Sequence, residues 1–190
     1  TEFLTSMMTS DEENMDRIVL EVGEAQANGI EIMRPDINES LKHFTYIDDT
    51  HIRFWLKAIK WLWDGPIDAI LAARKEKPFA DIDDFIKRGG RDILLKKSLE
   101  ALIYAGAMDV FGDRATLIAN IDAMIRASKN EEKKQSSSQI GLFDGGLWKN
   151  DFDDSIVLEE AKPLSYEQQL FWEREVLGYM VSGHPLDGLK

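Results

Sequence analysis

Three histidines, His43, His51 and His184, and three aspartate pairs, Asp48-Asp49, Asp83-Asp84 and Asp153-Asp154, are the residues of this chain best suited to acid–base or metal chemistry. Their spacing does not bring them together. No two histidines stand at the i,i+4 interval that places two ligands on one helix face, and the absence of cysteine removes thiolate zinc sites, disulfides and thiol catalysis. Paired carboxylates can hold magnesium. Neighbours on a helix point in different directions, however, and the other pairs fall in polar turns. A Walker loop, a G-x-S-x-G elbow and a dinucleotide fingerprint are also missing. The expectation is therefore surface carboxylates and helix caps, with no catalytic residue, no metal ligand and no cofactor in the chain.

Residues 51–79, HIRFWLKAIKWLWDGPIDAILAARKEKPF, offer a different chemistry. They predict a short basic helix, a tight turn at Asp64-Gly65-Pro66 and a second helix. Two helices meeting at a glycine turn leave backbone N–H groups unpaired, and these can bind a phosphate. Glycine serves twice there, for positive φ and for close approach of the ligand. Arg53, Lys57 and Lys60 would add charge, so binding would weaken with salt. The pattern repeats weakly, since Ala58 to Ile70 and Ile103 to Ile118 both run apolar helix, turn, apolar helix, with Gly106 in the second turn. Candidate DNA contacts are thus Arg53, Lys57, Lys60, Gly65 and Gly106. On pattern alone, a helical pair that only packs a core stands equally beside them.

A second candidate lies in Gln139-Ile140-Gly141-Leu142-Phe143. In an extended peptide Leu142 and Phe143 can fill an apolar pocket while Gln139 hydrogen-bonds at its rim. The alternative is that Leu142 and Phe143 fold back onto the helices.

The elements around these sites follow from caps and periodicity. Ser10 with Glu13 predicts the start of a helix over 10–28, closed by Gly29. Ile30–Met33 and Thr45–Ile47 read as short strands. Pro66 suits the first turn of a helix that Lys77-Pro78 ends. Asp81 caps a helix to Arg88, closed by Gly89-Gly90. Asp92 is expected to cap the next, with Leu95, Leu99, Leu102 and Ile103 as its core stripe and Gly106 as its stop. Asp113 caps one helix from Arg114 to Ala127. Residues 129–138 contain no apolar side chain, so a solvated, mobile linker is expected from there to 163. Ser165 with Gln168 opens a last helix, ended by Gly178.

The fold class is mainly α: short helices in a tandem helix-hairpin-helix, a disordered linker and a C-terminal helix. The expected divisions are 1–50, 51–128, 129–163 and 164–190. Net charge is −12, yet Arg53 to Glu100 holds 11 Lys and Arg against 8 Asp and Glu, so any phosphate-facing surface belongs there. No apolar run approaches the ~18–20 residues that span a bilayer, and no leader opens the chain, so the expected place is the cytoplasm, at the nucleoid.

An ordered set of short stretches carries a resemblance. It comprises Pro35-Asp36-Ile37-Asn38-Glu39-Ser40, Ile52-Arg53-Phe54, Ala58-Ile59-Lys60, Leu102-Ile103 with Ala105-Gly106-Ala107-Met108-Asp109, Leu177-Gly178, and Ser182-Gly183-His184-Pro185-Leu186. In that order they resemble the alpha subunit of bacterial DNA polymerase III, the replicative C-family polymerase, over nearly the whole chain. The resemblance implies the late fingers, a tandem helix-hairpin-helix on duplex DNA, and a segment that binds the beta sliding clamp through Gln139, Leu142 and Phe143, with other replicase subunits as further partners. It places the catalytic aspartates and their magnesium in an upstream palm domain, outside this chain, and an oligonucleotide-binding domain downstream. It also implies glycine where Trp55, Trp61 and Trp63 stand. Three such replacements would follow from UGA codons that the source reads as glycine, an expectation that UGG at all three codons would end. Competing readings are a helical protein-interaction module without DNA contact, and a helix-hairpin-helix glycosylase, for which Lys60 and Asp81 are the only candidates.

Overall fold

The computed structural model describes residues 1–12, 14–138 and 156–183. The chain runs α1 (Glu2–Ser10), α2 (Met15–Ala27), β1 (Glu31–Met33), β2 (Thr45–Asp48), β3 (His51–Arg53), α3 (Asp64–Ala73), α4 (Ile82–Ile93), α5 (Lys96–Tyr104), α6 (Arg114–Ala119), α7 (Ile121–Ser138) and α8 (Tyr166–Leu177). Single 3₁₀ turns at Leu56–Ala58 and Asp109–Phe111 precede α3 and α6. The mainly helical class, with two helical hairpins in tandem, is as the sequence predicts.

Several expected ends hold for the expected reasons. Asn28-Gly29 closes α2 with Gly29 at φ +78°, the Ile30 amide reaching back to the Ala25 carbonyl (2.9 Å) and that of Gly29 to Gln26 (3.0 Å). Gly106, at φ +77°, closes α5 with the same pair of bonds, from Ala107 to Leu102 and from its own amide to Ile103. Asp81, Asp113 and Ser165 each accept the N–H groups of the helix they precede, and such caps contribute about 1 kcal/mol apiece.

Other expectations are corrected. The predicted helix beginning at 51 starts instead as β3, the middle strand of a three-stranded sheet in the order β1-β3-β2. It runs parallel to β1 with Ile32 opposite Ile52, and antiparallel to β2 with Tyr46 opposite Ile52. Pairing on both edges outweighs the local helical pattern. Asp64-Gly65-Pro66 is the first turn of α3, and the chain reverses earlier, over 59–63. Ser10 ends α1, a helix the sequence reading missed, and its hydroxyl turns back to the Ser6 carbonyl (3.0 Å); Asn14 caps α2 instead, accepting from the Arg17 amide (3.2 Å). Gly90, at φ +66° and ψ 179°, breaks the helical path so that α5 begins only at Lys96. Asp92 is therefore not its cap. The same delay rotates Leu95 outward (41% exposed), while Ile93 and Leu94 take the buried places.

The single helix expected over 114–127 is two, because Asn120 leaves the helical path and its side chain bridges the Thr116 and Glu159 carbonyls (2.8 and 2.9 Å). The polar run 129–138 continues α7 as helix, since Lys, Glu and Gln favour helix without a buried face. Residues 156–161 are fastened down: the amides of Ile156, Glu159 and Ala161 donate to Asp83, Asn120 and Thr116.

One apolar core runs from Met8 to Leu177 and includes residues of both hairpins. The connector at 34–40 holds the hairpins together through backbone groups. The Ile37 amide donates to Ala107 (2.7 Å), Arg74 donates to the Ile37 carbonyl (2.6 Å), and Asn38 pairs with Phe79 through both its carbonyl and its amide. Burial pulls the Arg74 guanidinium down from its ordinary range, against the raising effect of Asp36 and Glu39.

Beside Asp11, Glu21 is 6% exposed, with Arg17 4.0 Å from its Oε1. Burial, and then the Asp11 carboxyl beside it, push the Glu21 carboxyl above its ordinary range. A carboxyl whose pKa is raised by folding costs stability once ionised, so the cost is absent below the carboxylate range and grows as pH rises through it. Glu21→Gln is expected to raise the melting temperature at about pH 7 and to give no advantage near pH 3.5. Thermal unfolding at the two pH values checks this, and an equal gain at both would contradict it.

Candidate nucleic-acid interface

The first hairpin is built by the sheet and closed by a five-residue reversal. After β3, Phe54, Trp55 and Leu56 are buried, and Trp55 lies against the rings of Phe44 (4.0 Å) and Phe54 (4.7 Å). The Leu56 carbonyl takes the Ile59 amide, the Ile59 carbonyl takes the Leu62 amide (both 3.1 Å), and Trp61 between them stands at φ +65°. Among the described residues Trp61 is the one non-glycine with positive φ. That conformation costs an L side chain about 1–2 kcal/mol. Of the three tryptophans where the resemblance implies glycine, only Trp61 occupies backbone that asks for it. Trp55, at φ −93°, fills the core.

Beyond the turn, Trp63 takes the N-cap position of α3 with no side-chain cap. The amides of Asp64 and Gly65 have no hydrogen-bond partner among the described residues, and Pro66 has none to offer. This is the feature a phosphate oxygen would seek. Two things crowd it. The Trp63 Cδ1 lies 3.8 Å from where a Cβ on Gly65 would be, so the indole stands beside the exposed glycine. The Asp64 carboxylate sits at the same helix end, ion-paired to Lys42 (2.9 Å), which also reaches Asp68 (3.3 Å). The hydrogen bond from Lys42 holds the Asp64 carboxyl below its ordinary range, helped by the charge of Lys57. Trp61 and Trp63 are about half exposed, at 49% and 52%.

The proposed contacts separate accordingly. Lys57, Lys60 and Gly65 are exposed on the first hairpin, and neither lysine is ion-paired among the described residues. The Lys60 amide donates to the Val176 carbonyl (2.8 Å), which leaves its side chain outward and its backbone anchored. Arg53 is not at the surface. It is 8% exposed, ion-paired with Glu39, and donates to the Arg34 carbonyl (3.1 Å). A side chain so enclosed is held within the fold, a placing that follows from β3 and that a helix over 51–53 would not give.

Gly106 is buried too, and the space beside it is taken by a side chain of its own hairpin. A Cβ on Gly106 would stand 2.2 Å from Arg114 Nη2, so the glycine makes room for the guanidinium of Arg114. The first amides of α6, on Ala115 and Thr116, already donate to Asp113 (2.9 and 3.2 Å). Arg114 itself, 3% exposed, holds Asp109 by two bonds (2.8 and 2.9 Å) and Glu173 of α8 by a third (3.0 Å). Burial pulls this guanidinium down, but Asp109 and Glu173 together raise it above its ordinary range. Sequence reasoning missed both Arg114 and Glu173, because a contact between residues 59 apart has no local signal.

The clamp candidates Gln139, Leu142 and Phe143 lie outside the described residues. Among the described residues no group of three His, Cys, Asp or Glu could hold a metal ion, and no helix is long and apolar enough to cross a membrane.

Known proteins share this architecture. A model of the helix-hairpin-helix motif matches residues 29–117, from the sheet into α6. DNA polymerase III subunit alpha of Neisseria meningitidis serogroup B is 37% identical over 186 residues, that of Bacillus subtilis 36% over 193, and that of Thermus aquaticus 33% over 186. These alignments cover 97–99% of the chain but only 15–16% of each relative. The chain thus belongs, as one segment, to the family of DNA polymerase III alpha subunits.

Proposed function

We propose that this segment grips duplex DNA for a replicative DNA polymerase and tethers it to the beta sliding clamp. DNA-directed synthesis itself would be carried out elsewhere in the parent subunit, with other replicase subunits as further partners. The observation that carries the DNA reading is the α3 end of the first hairpin, where the amides of Asp64 and Gly65 have no partner among the described residues, the charge of Lys57 acts on Asp64, and the exposed Lys60 lies in the reversal before it. The family match supports the same reading. Lys57, Lys60 and Gly65 are the contacts, and Arg53 and Gly106 act as structural supports.

A second reading, a helical protein-interaction module without DNA contact, draws on the half-exposed Trp61 and Trp63 and on the Asp64 carboxylate at the same turn. A fluorescence titration with labelled duplex at several salt concentrations separates the two. Binding that weakens with salt is expected, and no binding at low salt would favour the interaction module. Trp61→Gly with Trp63→Gly relieves the strained φ and removes the indole beside Gly65, so the duplex Kd is expected to tighten about tenfold, roughly one phosphate hydrogen bond to charge. An unchanged Kd would end the idea that the indoles obstruct the site.

Clamp contact is proposed for Gln139, Leu142 and Phe143, as an extended peptide with two apolar anchors. Purified clamp titrated against wild type and the Leu142→Ala/Phe143→Ala double variant is expected to lose a hundredfold or so in affinity, since two anchors typically contribute at least ~1–2 kcal/mol each. Equal affinity for both proteins would remove the assignment.

A further inference from the structure

α8 lies beyond residues 29–117, the span of the helix-hairpin-helix match, yet it is bound to both hairpins. At the first, its Val176 carbonyl accepts the Lys60 amide within the chain reversal (2.8 Å). At the second, Glu173 accepts from Arg114 (3.0 Å), and Trp172 stacks on Tyr104 with ring centres 4.3 Å apart. Glu173 is fully buried and Arg114 is 3% exposed. The chain leaving α8 then turns back on the same carboxylate, with the Ser182 amide donating to Glu173 Oε2 (2.9 Å) and the Ser182 hydroxyl to Oε1.

Three donors therefore converge on one buried side chain: a guanidinium, an amide and a hydroxyl. A carboxylate alone satisfies all three. Glutamine has a single acceptor oxygen, and its NH₂ would face a donor whichever way it turned. On the other side, Arg114 reaches Glu173 only because Gly106 has no Cβ to displace it. Gly106, Arg114, Glu173 and Ser182 thus require one another, although they belong to three separate parts of the chain.

We propose that α8 is a clasp. Glu173 is the positioning residue that locks α8 and the turn after it onto the two hairpins, so that the hairpins meet a duplex as one preorganised surface. The last clause rests on the DNA reading above; the clasp itself does not. The connector at 34–40 ties the hairpins from another part of the chain, so loss of the clasp loosens their relation without unfolding them. Preorganisation affects affinity without adding contacts.

The test uses the whole chain with Glu173→Gln. Hydrogen exchange at the Lys60 and Ser182 amides is expected to quicken at least tenfold. Duplex affinity is expected to weaken about fivefold, while the slope of log K against log salt stays as in wild type, because the phosphate contacts are the same. A variant that merely lost folded protein would show its exchange gain spread over the core, including the Ile37 amide. Where Glu173→Gln does not fold, Ser182→Ala removes one of the three donors and gives the same readouts in smaller degree. Unchanged exchange at Lys60 overturns the clasp. Quickened exchange with unchanged duplex affinity overturns the preorganised surface. If the wild type binds no duplex at low salt, the DNA reading fails, and the exchange at Lys60 still decides the clasp.

Discussion

β3 is the constraint on which the arrangement depends. Three residues, His51 to Arg53, pair with β1 on one side and β2 on the other, and so leave no freedom in where the first hairpin begins. From that fixed exit Phe54, Trp55 and Leu56 enter the core, and the chain has only residues 59–63 in which to reverse before α3. Within that reversal one residue, Trp61, stands at positive φ. The odd feature of the hairpin is therefore set by the sheet, since a helix starting at 51 would have carried the turn several residues further on. Arg53 follows the same logic. A residue in a central strand faces one side or the other of the sheet, and this one faces the connector and Glu39.

Much of the helical plan was legible because its signals are local. A cap acts within three residues, so Asp81, Asp113 and Ser165 could be read directly, as could Gly29, Gly106 and Gly178 at the helix ends. Where two local signals competed, the reading failed: Ser10 and Asn14 are both good caps, and only the packing of α1 decides between them. The site was less legible still. The exposed placing of Lys57, Lys60 and Gly65 beside a turn could be anticipated, since charge and glycine near a turn are visible in sequence. In the second hairpin Gly106 has the expected φ, but the space beside it is taken by Arg114, whose partner Glu173 is distant in sequence and gives no local signal. A positive-φ glycine says that the backbone turns there. It does not say which group uses the space.

The two hairpins consequently differ in what they offer. Both close with a helix N-terminus, the partial positive charge that attracts phosphate. In the second, Asp113 takes the amides and Arg114 fills the turn, so that end is satisfied from within the fold. In the first, no side chain caps α3 and the amides of Asp64 and Gly65 remain open. An uncapped helix end is less stable by about 1 kcal/mol. That deficit sits at a turn that also carries the exposed Lys57 and Lys60, which is where a ligand would remove it.

The charge around that turn sets how much such a ligand gains. Lys42 is already engaged by Asp64 and Asp68, and the charge of Lys57 also acts on Asp64. Lys57 and Lys60 are then the cations left for phosphate. Each neutralised phosphate contributes close to one unit of salt slope on duplex DNA, so two lysines support contact over a few phosphates and little more. The net charge of −12 acts against any wider footprint. A surface of this kind orients a duplex better than it holds one. Lasting contact requires other charge on the same polypeptide or a second attachment, and this chain corresponds to only about a sixth of the length of its relatives. A tether near a weak DNA contact raises the local concentration of DNA without new contacts to it. On that ground the DNA contact and the clamp contact proposed above would be complementary, because each would supply what the other lacks.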